Sequence, residues 1–316
     1  MSSPQRIASL LASATEMLYG LGLGDRVVAV SHECDFPADA RTKPRATFSR
    51  VDSSLPSLAI DGEVRRLLAA GEPLYCVDEP LLASLAPELI VTQAQCDVCA
   101  VRYEDVLGAV RNTPEICGAQ VIALNPLSLA DVLREIGLIA HATGAGEAGD
   151  RYCAELAARV ATVRARTASL VPDAWPRVAL LEWVEPLFLA SNWMPELIAW
   201  AGGNDGGLGR QGEHSTVIPW EALRAFDPQI ILVAPCGFDL TRTIGEAQTL
   251  AALPGWADVA AVRDGQVWAL DGNAYFNRSG PRLVDSLEML AGLLHPELPC
   301  SSPPVLSPET CQRLSL

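Results

Sequence analysis

The stretch that decides the fold is Ser128 to Ser169, "SLADVLREIGLIAHATGAGEAGDRYCAELAARVATVRARTAS". Its first half places Leu129, Val132, Leu133, Ile136 and Ile139 at steps of three and four, which lines one face of a helix. Ser128 stands where a helix cap belongs. After the "GAGEAGD" break, a second helix is predicted from Ala148 to Ser169. No strand-like run interrupts this length, whereas strands and helices alternate on both sides of it. The pattern reads as two Rossmann-like α/β lobes joined by a long spanning helix, with a ligand cleft expected between the lobes. The expected divisions are residues 1–127 for the first lobe, 128–172 for the connecting segment and 173–298 for the second lobe. Residues 299–316, Ser/Pro-rich at their start, are expected to fray.

The first lobe opens β-α-β. "RIASLLAS" is an apolar strand, and "SATEMLYGLGLG" a helix with Ser13 and Glu16 at capping-box spacing. "RVVAVSHECDFP" is a strand, Arg26 to Val30, running into a loop that stops at Pro37. Residues 38–57 are polar and proline-containing, and are read as mostly irregular. "PELIVTQ" is a further strand, followed by the loop "AQCDVCA". In the second lobe, "PRVALLEWVEP", "PQIILVAPCGFD" and "GQVWALDGNAYFNRSGPR" each read as a strand and its following loop. Loops at the carboxyl ends of strands line the ligand crevice of open α/β sheets. That rule gathers the unusual residues of this chain into one expected site.

Composition bounds the function. The chain has 316 residues, 49% hydrophobic and 19% charged, enough for about two ordinary domains. A net charge of -15 argues against nucleic acid, whose phosphates need a basic face. No run approaches the roughly 18 apolar residues of a membrane span. The start of the chain enters the fold with no signal-like segment, and this points to the cytoplasm, with an exported location if a signal has been removed. Nine scattered cysteines, an odd number, do not form a compact disulfide framework.

Cys96 and Cys99 form a lone C-x-x-C. With Cys34, and either His32 or Cys236, they make a candidate four-ligand site for zinc or an iron–sulfur cluster, since thiolates at this spacing suit soft or borderline metals. The opposing reading is that these cysteines act as small hydrophobes in a pocket-lining turn; a redox pair is the third. His32 is either a metal ligand, including the axial position on a cobalt or haem iron, or a hydrogen-bonded residue that orders its loop. Trp183, Phe238, Tyr275 and Phe276 in the second lobe, with Phe36 and Phe48 in the first, are candidate faces for a large flat ligand. Asp35, Gln95, Asn273 and Arg278 are candidate polar contacts. Trp193, Trp200 and Trp220 are read as packing. Glu182 and Glu185 flank Trp183 as a carboxylate pair. No nucleophile elbow, phosphate loop or H-E-x-x-H accompanies them, so the chain is not read as an enzyme.

These segments carry a resemblance over nearly the whole chain. "RIASLLASATEMLYGLGLGDRVVAVSHECDFP", "PELIVTQ" and "LPGWADVAAVRDGQVWALDGNAYF" resemble the helical-backbone (class III) substrate-binding proteins of ABC importers for vitamin B12, ferric siderophores and haem. The loops "SHECDFP", "CDVCA", "PCGFD" and "DGNAYFNRSGPRL" are similar to a signal-less branch labelled cobalamin-binding. The resemblance implies non-catalytic binding of a large metal-containing small molecule, foremost cobalamin or another corrinoid. The siderophore or haem component of an importer is an alternative, and a zinc or iron–sulfur metalloprotein or enzyme at Cys34, Cys96 and Cys99 is another. It also implies an ABC permease as a partner, met through acidic residues for which Glu72 and Glu196 or Glu213 are the candidates by position.

Overall fold

The computed structural model describes residues 3–95, 98, 100–298 and 306–316. It divides into two compact units. The first is drawn from residues up to Glu155; the second runs from Leu156 onward and includes Pro56–Leu58 and Leu127–Leu129.

The first unit contains β1 (Ile7–Ser9), α1 (Ala12–Gly20), β2 (Val27–Val30), β3 (Thr47–Ser49), α2 (Ser57–Ala69), β4 (Tyr75–Val77), α3 (Glu79–Leu85), β5 (Leu89–Gln93), α4 (Tyr103–Asn112), β6 (Gln120–Leu124) and α5 (Leu129–Ala142). Its main sheet has the order β2-β1-β5-β6, with every pair parallel. Every residue of β5 is buried, as expected of a parallel strand covered on both faces. The chain moves from β1 to β2 on one side and returns to β5 on the other. The loops after β1 and β5 therefore part at a topological switch point, where such sheets hold ligands. Helix α6 (Gly146–Thr167) carries the boundary between the units within it, at Glu155 and Leu156.

The second unit continues with β7 (Val178–Val184), β8 (Leu187–Leu189), α7 (Met194–Trp200), β9 (Thr216–Val217), α8 (Trp220–Phe226), β10 (Ile230–Val233), α9 (Leu240–Ala247), α10 (Ala260–Arg263), β11 (Val267–Leu270), α11 (Leu283–Leu294) and β12 (Cys311–Arg313). The sheet order is β12-β11-β10-β7-β8-β9. The central strands β11, β10 and β7 are parallel, and both flanks are antiparallel. The core packs Leu181, Ile231, Val233 and Val267 against Trp220, Leu250 and Trp256. The mixed α/β class with parallel sheets is the one the sequence pattern predicts.

Two local expectations are corrected, at the α1 cap and in the tail. The cap of α1 is Leu11, not Ser13, and it makes no side-chain cap bond. The chain turns straight from β1 into the helix, so "SATE" starts at the second helical residue, where Ser13 and Glu16 are buried. Thr15 Oγ1 donates instead to Ser9 Oγ at 2.8 Å. Residues 38–57 are mostly irregular, as expected, apart from a short 3-10 turn and β3, which pairs antiparallel with β4, Phe48 opposite Cys76. The described part of the tail is not frayed: β12 pairs with β11, and Leu314 is buried in the core.

Candidate functional site

In the first unit, the loop from Ser31 to Pro37 follows the carboxyl end of β2. The backbone folds back at once, the Cys34 N–H donating to Ser31 O at 3.2 Å. This turns the Cys34 side chain inward, where it is 0% exposed. Its sulfur lies 3.0 Å from Thr15 Oγ1 and 3.3 Å from Ser31 Oγ. A thiol so enclosed by hydroxyls at the β1–α1 junction offers a bound molecule no exposed surface, which corrects the ligand-contact role expected for it.

His32 is held from several sides. Its backbone N–H donates to Thr47 Oγ1 at 3.1 Å, and its Nδ1 lies 2.8 Å from the same oxygen. The ring stacks on Tyr75 at 5.2 Å. Its Nε2 is shielded from solvent, 3.3 Å from Glu33 Oε1. Burial lowers its pKa; Glu33 opposes that shift and Arg45 adds to it. Nδ1 is thus engaged by Thr47, and Nε2 faces Glu33. The geometry is that of a residue that pins its loop to the β3–β4 ribbon.

That pinning presents aromatic surface. Phe36 is 47% exposed and Phe48 52%, far more than packing alone leaves for such side chains. Tyr75 Oη donates to Val98 O at 2.9 Å, tying the ribbon to the loop after β5. Gln95 starts that loop half-buried, its N–H on Gln93 Oε1 at 2.6 Å. Asp35 is half-buried, its carbonyl accepting from Arg41 Nε at 2.8 Å. Cys96 and Cys99 lie outside the described residues. Among the described residues, no group of three or more His, Cys, Asp or Glu could hold a metal ion. The expected centre has Cys96 and Cys99 among its ligands, so that reading lies outside the described residues.

In the second unit, the loops after β7, β10 and β11 come from three adjacent parallel strands, so their residues meet. The Trp183 and Phe238 rings lie 5.0 Å apart at 53°. Trp183 Nε1 donates to Glu185 O at 3.0 Å, which satisfies its polar edge and fixes the half-exposed ring. Glu182 O accepts from the N–H of Cys236, an exposed residue, at 3.1 Å. The Arg242 guanidinium sits 3.5 Å over the Phe238 ring. The sequence reading missed Arg242; its signal was Asp239, whose side chain caps α9 by accepting from Arg242 N.

The loop after β11 is ordered by its own polar side chains. Asp271 Oδ1 accepts from the N–H groups of Asn273 and Ala274 at 3.0 and 2.8 Å. Burial raises the Asp271 pKa, and these two bonds oppose the rise. Asn273 N also donates to Phe238 O at 2.9 Å. Asn273 Oδ1 accepts from Arg278 Nη2 at 2.8 Å, and Arg282 lies over the Tyr275 ring at 5.5 Å. Phe276 departs from expectation: it is 0% exposed with φ 66°, and its carbonyl accepts from Trp193 Nε1 at 2.7 Å. Its ring packs the core and has no surface to give a ligand. Trp193 and Trp220 are buried, as the packing reading expects.

The acidic residues named for docking are engaged within the chain. Glu72 pairs with Arg50. Glu196 accepts from Leu129 N at 3.2 Å and Gln211 Nε2 at 2.9 Å. Glu213 is exposed and pairs with Arg210 at 3.3 Å.

A family model for periplasmic binding proteins matches residues 7–274. The chain belongs to the periplasmic binding protein family. This is a family of solute-binding rather than catalytic proteins, in agreement with the non-enzyme reading. Its relatives include an uncharacterised ABC transporter substrate-binding lipoprotein of Bacillus subtilis, 22% identical and aligned over 93% of this chain and 81% of the relative. The vitamin B12-binding protein of Vibrio cholerae is 23% identical, aligned over 92% of this chain and 89% of its own length. Among solved structures, the periplasmic vitamin B12-binding protein of Vibrio cholerae superposes with a TM-score of 0.67 at 21% identity, covering 93% of this chain and 98% of that one. A periplasmic haem-binding protein of Pseudomonas aeruginosa gives 0.71 at 20% identity, covering 97% and 96%. At these identities the superpositions establish the shared fold. Among the described residues, no helix is long and apolar enough to cross a membrane.

Proposed function

We propose that this periplasmic binding protein takes up a corrinoid, cobalamin foremost, on the aromatic and amide groups of its strand-end loops, and delivers it to an ABC permease. The observation that carries the reading is the Trp183–Phe238 pair, fixed by the Trp183 Nε1 bond at the carboxyl ends of β7 and β10. A fixed indole face gives a large planar ligand contact area at little entropic cost. Asn273 and Arg278 beside it suit amide side chains and a phosphate. In the first unit, Phe36 and Phe48 supply further apolar surface. The similarity to a vitamin B12-binding protein over most of both chains supports the choice of ligand.

The relatives' names place those proteins at or outside the cell membrane. They weigh against the cytoplasmic expectation, and fractionation of the native protein decides the point. Titration with cyanocobalamin, and separately with hemin, tests the ligand through tryptophan fluorescence and the visible spectrum. Cobalamin is expected to quench the protein's emission, and Trp183→Ala to weaken binding about tenfold, or 1.4 kcal/mol. Binding of hemin alone would move the reading to haem. Binding of neither at about 100 μM would reject the tetrapyrrole class, since any binding would then be weaker than roughly -5.5 kcal/mol.

A further inference from the structure

The family match ends at Ala274, yet the chain continues to a carboxyl-terminal segment that returns to the sheet. We infer that residues 306–316 form a positioning strap for the loop carrying Asn273, Tyr275 and Arg278, so that the geometry of the second unit's strand-end site is set from outside the family-matched region.

The strap is anchored at both ends. At its start, the Leu306 side chain lies where a Cβ on Gly292 of α11 would be, 2.7 Å from that position. At its end, Leu314 is buried in the second unit's core, and its N–H donates to Val267 O at 2.8 Å. Between the anchors, β12 pairs Cys311 with Leu270, Gln312 with Ala269 and Arg313 with Trp268. Arg313 also grips the turn before β11, donating to the carbonyls of Asp264 and Gly265.

The connection to the site is made at Thr310. A tight turn closes Ser307 to Thr310, with Ser307 N on Thr310 Oγ1 at 2.9 Å and Cys311 N on Ser307 O at 3.0 Å. It directs the Thr310 carbonyl at Asp271 N, 3.0 Å away. Asp271 is the first residue beyond β11. With its backbone held there, its carboxylate meets the N–H groups of Asn273 and Ala274, and Asn273 in turn receives Arg278. A short polar relay thus runs from the strap to a guanidinium at the site. A strand end released from its outer neighbour loses its fixed direction, and the loop after it loses its register.

The ligand arm of the test rests on the proposed binding function; the exchange arm does not. Two variants of the full protein are compared with it: a chain ending at Leu306, and Leu314→Ala, which keeps the length but loosens the far anchor. Amide hydrogen exchange is read at Asp271, Asn273, Ala274 and Tyr275 and, as an internal reference, at Ile231, Leu232 and Val233 of β10. The expected result is at least a tenfold acceleration in the loop with β10 unchanged, larger in the truncated chain than in Leu314→Ala. Equal acceleration of loop and β10, or none in the loop, overturns the strap as a positioning element. Should the full chain bind cobalamin, the truncated chain is expected to bind at least tenfold more weakly, and unchanged affinity also overturns the inference. Should the full chain bind no cobalamin, the proposed function fails and exchange alone decides the strap.

Discussion

Glu135 of α5 is a carboxylate in the wrong medium. It is almost fully buried, its Oε1 accepts from Asn125 N at 2.5 Å just past β6, and its Oε2 has no partner among the described residues. Burial pushes its pKa up to about 7 from an ordinary 4.5; Asp131 adds to the rise, and the Asn125 bond and Arg134 oppose it. Between these values the folded chain holds a proton that the unfolded chain has released. The stability this group contributes is therefore fully present below about pH 4.5 and is lost as pH rises through 7, on the order of 2–3 kcal/mol. Glu135→Gln keeps an acceptor for Asn125 N and removes the titration. Urea denaturation at pH 5 and pH 8 is expected to show the native chain losing roughly 2 kcal/mol relative to Glu135→Gln over that interval. A constant difference between the two would show that Glu135 titrates as an ordinary surface carboxylate.

Helices α6 and α11 are joined by one charged node. Arg159 Nε donates to Glu288 Oε1 at 3.0 Å, and its Nη2 to Glu288 Oε2 at 2.7 Å and to Asp285 Oδ1. Hydrogen bonding to Glu288 raises the Arg159 pKa far above its usual value, ahead of the opposing effect of burial. Removing the guanidinium leaves two half-buried carboxylates facing each other, so Arg159→Met is expected to cost about 2–3 kcal/mol. Adding Asp285→Asn and Glu288→Gln is expected to recover most of that, because the loss is one of unpaired charge and not of the node itself. Denaturant midpoints of the single and triple variants check this.

The long helical stretch was legible because its apolar spacing keeps one period over many residues, and the buried β5 and β10 because each is a continuous apolar run bounded by turn residues. The capping box at Ser13 failed because a motif of four residues cannot report where a tight turn starts the helix. The strands β3 and β12 were missed for a related reason. Three residues carry no readable period, and each exists only through a partner distant in sequence, β4 or β11. The site divides in the same way. Strand-end position singled out Phe36, Trp183 and Phe238 as candidates, but could not show that Cys34, Phe238, Phe276 and His32 Nε2 are buried, which depends on how each backbone turns after its strand.

For the whole molecule, binding and stability are one measurement. A ligand held only by the folded chain raises its stability by RT ln(1 + [L]/Kd), about 2.7 kcal/mol at a hundredfold excess over Kd. Phe36 and Phe48 are half exposed, so trimming them leaves few core contacts to lose. Phe36→Ala and Phe48→Ala are each expected to change the stability of the free protein by less than about 0.5 kcal/mol. If these rings meet the ligand, each variant also loses part of the cobalamin-induced rise in Tm. Trp183→Ala is expected to lose part of both, because its half-buried ring packs on Phe238 as well as facing outward. Thermal unfolding of the four chains with and without cobalamin separates the two roles. An undiminished ligand shift in Phe36→Ala and Phe48→Ala, beside a reduced one in Trp183→Ala, would confine the contact to the second unit. An undiminished shift in all three would remove the aromatic loops from the binding surface altogether.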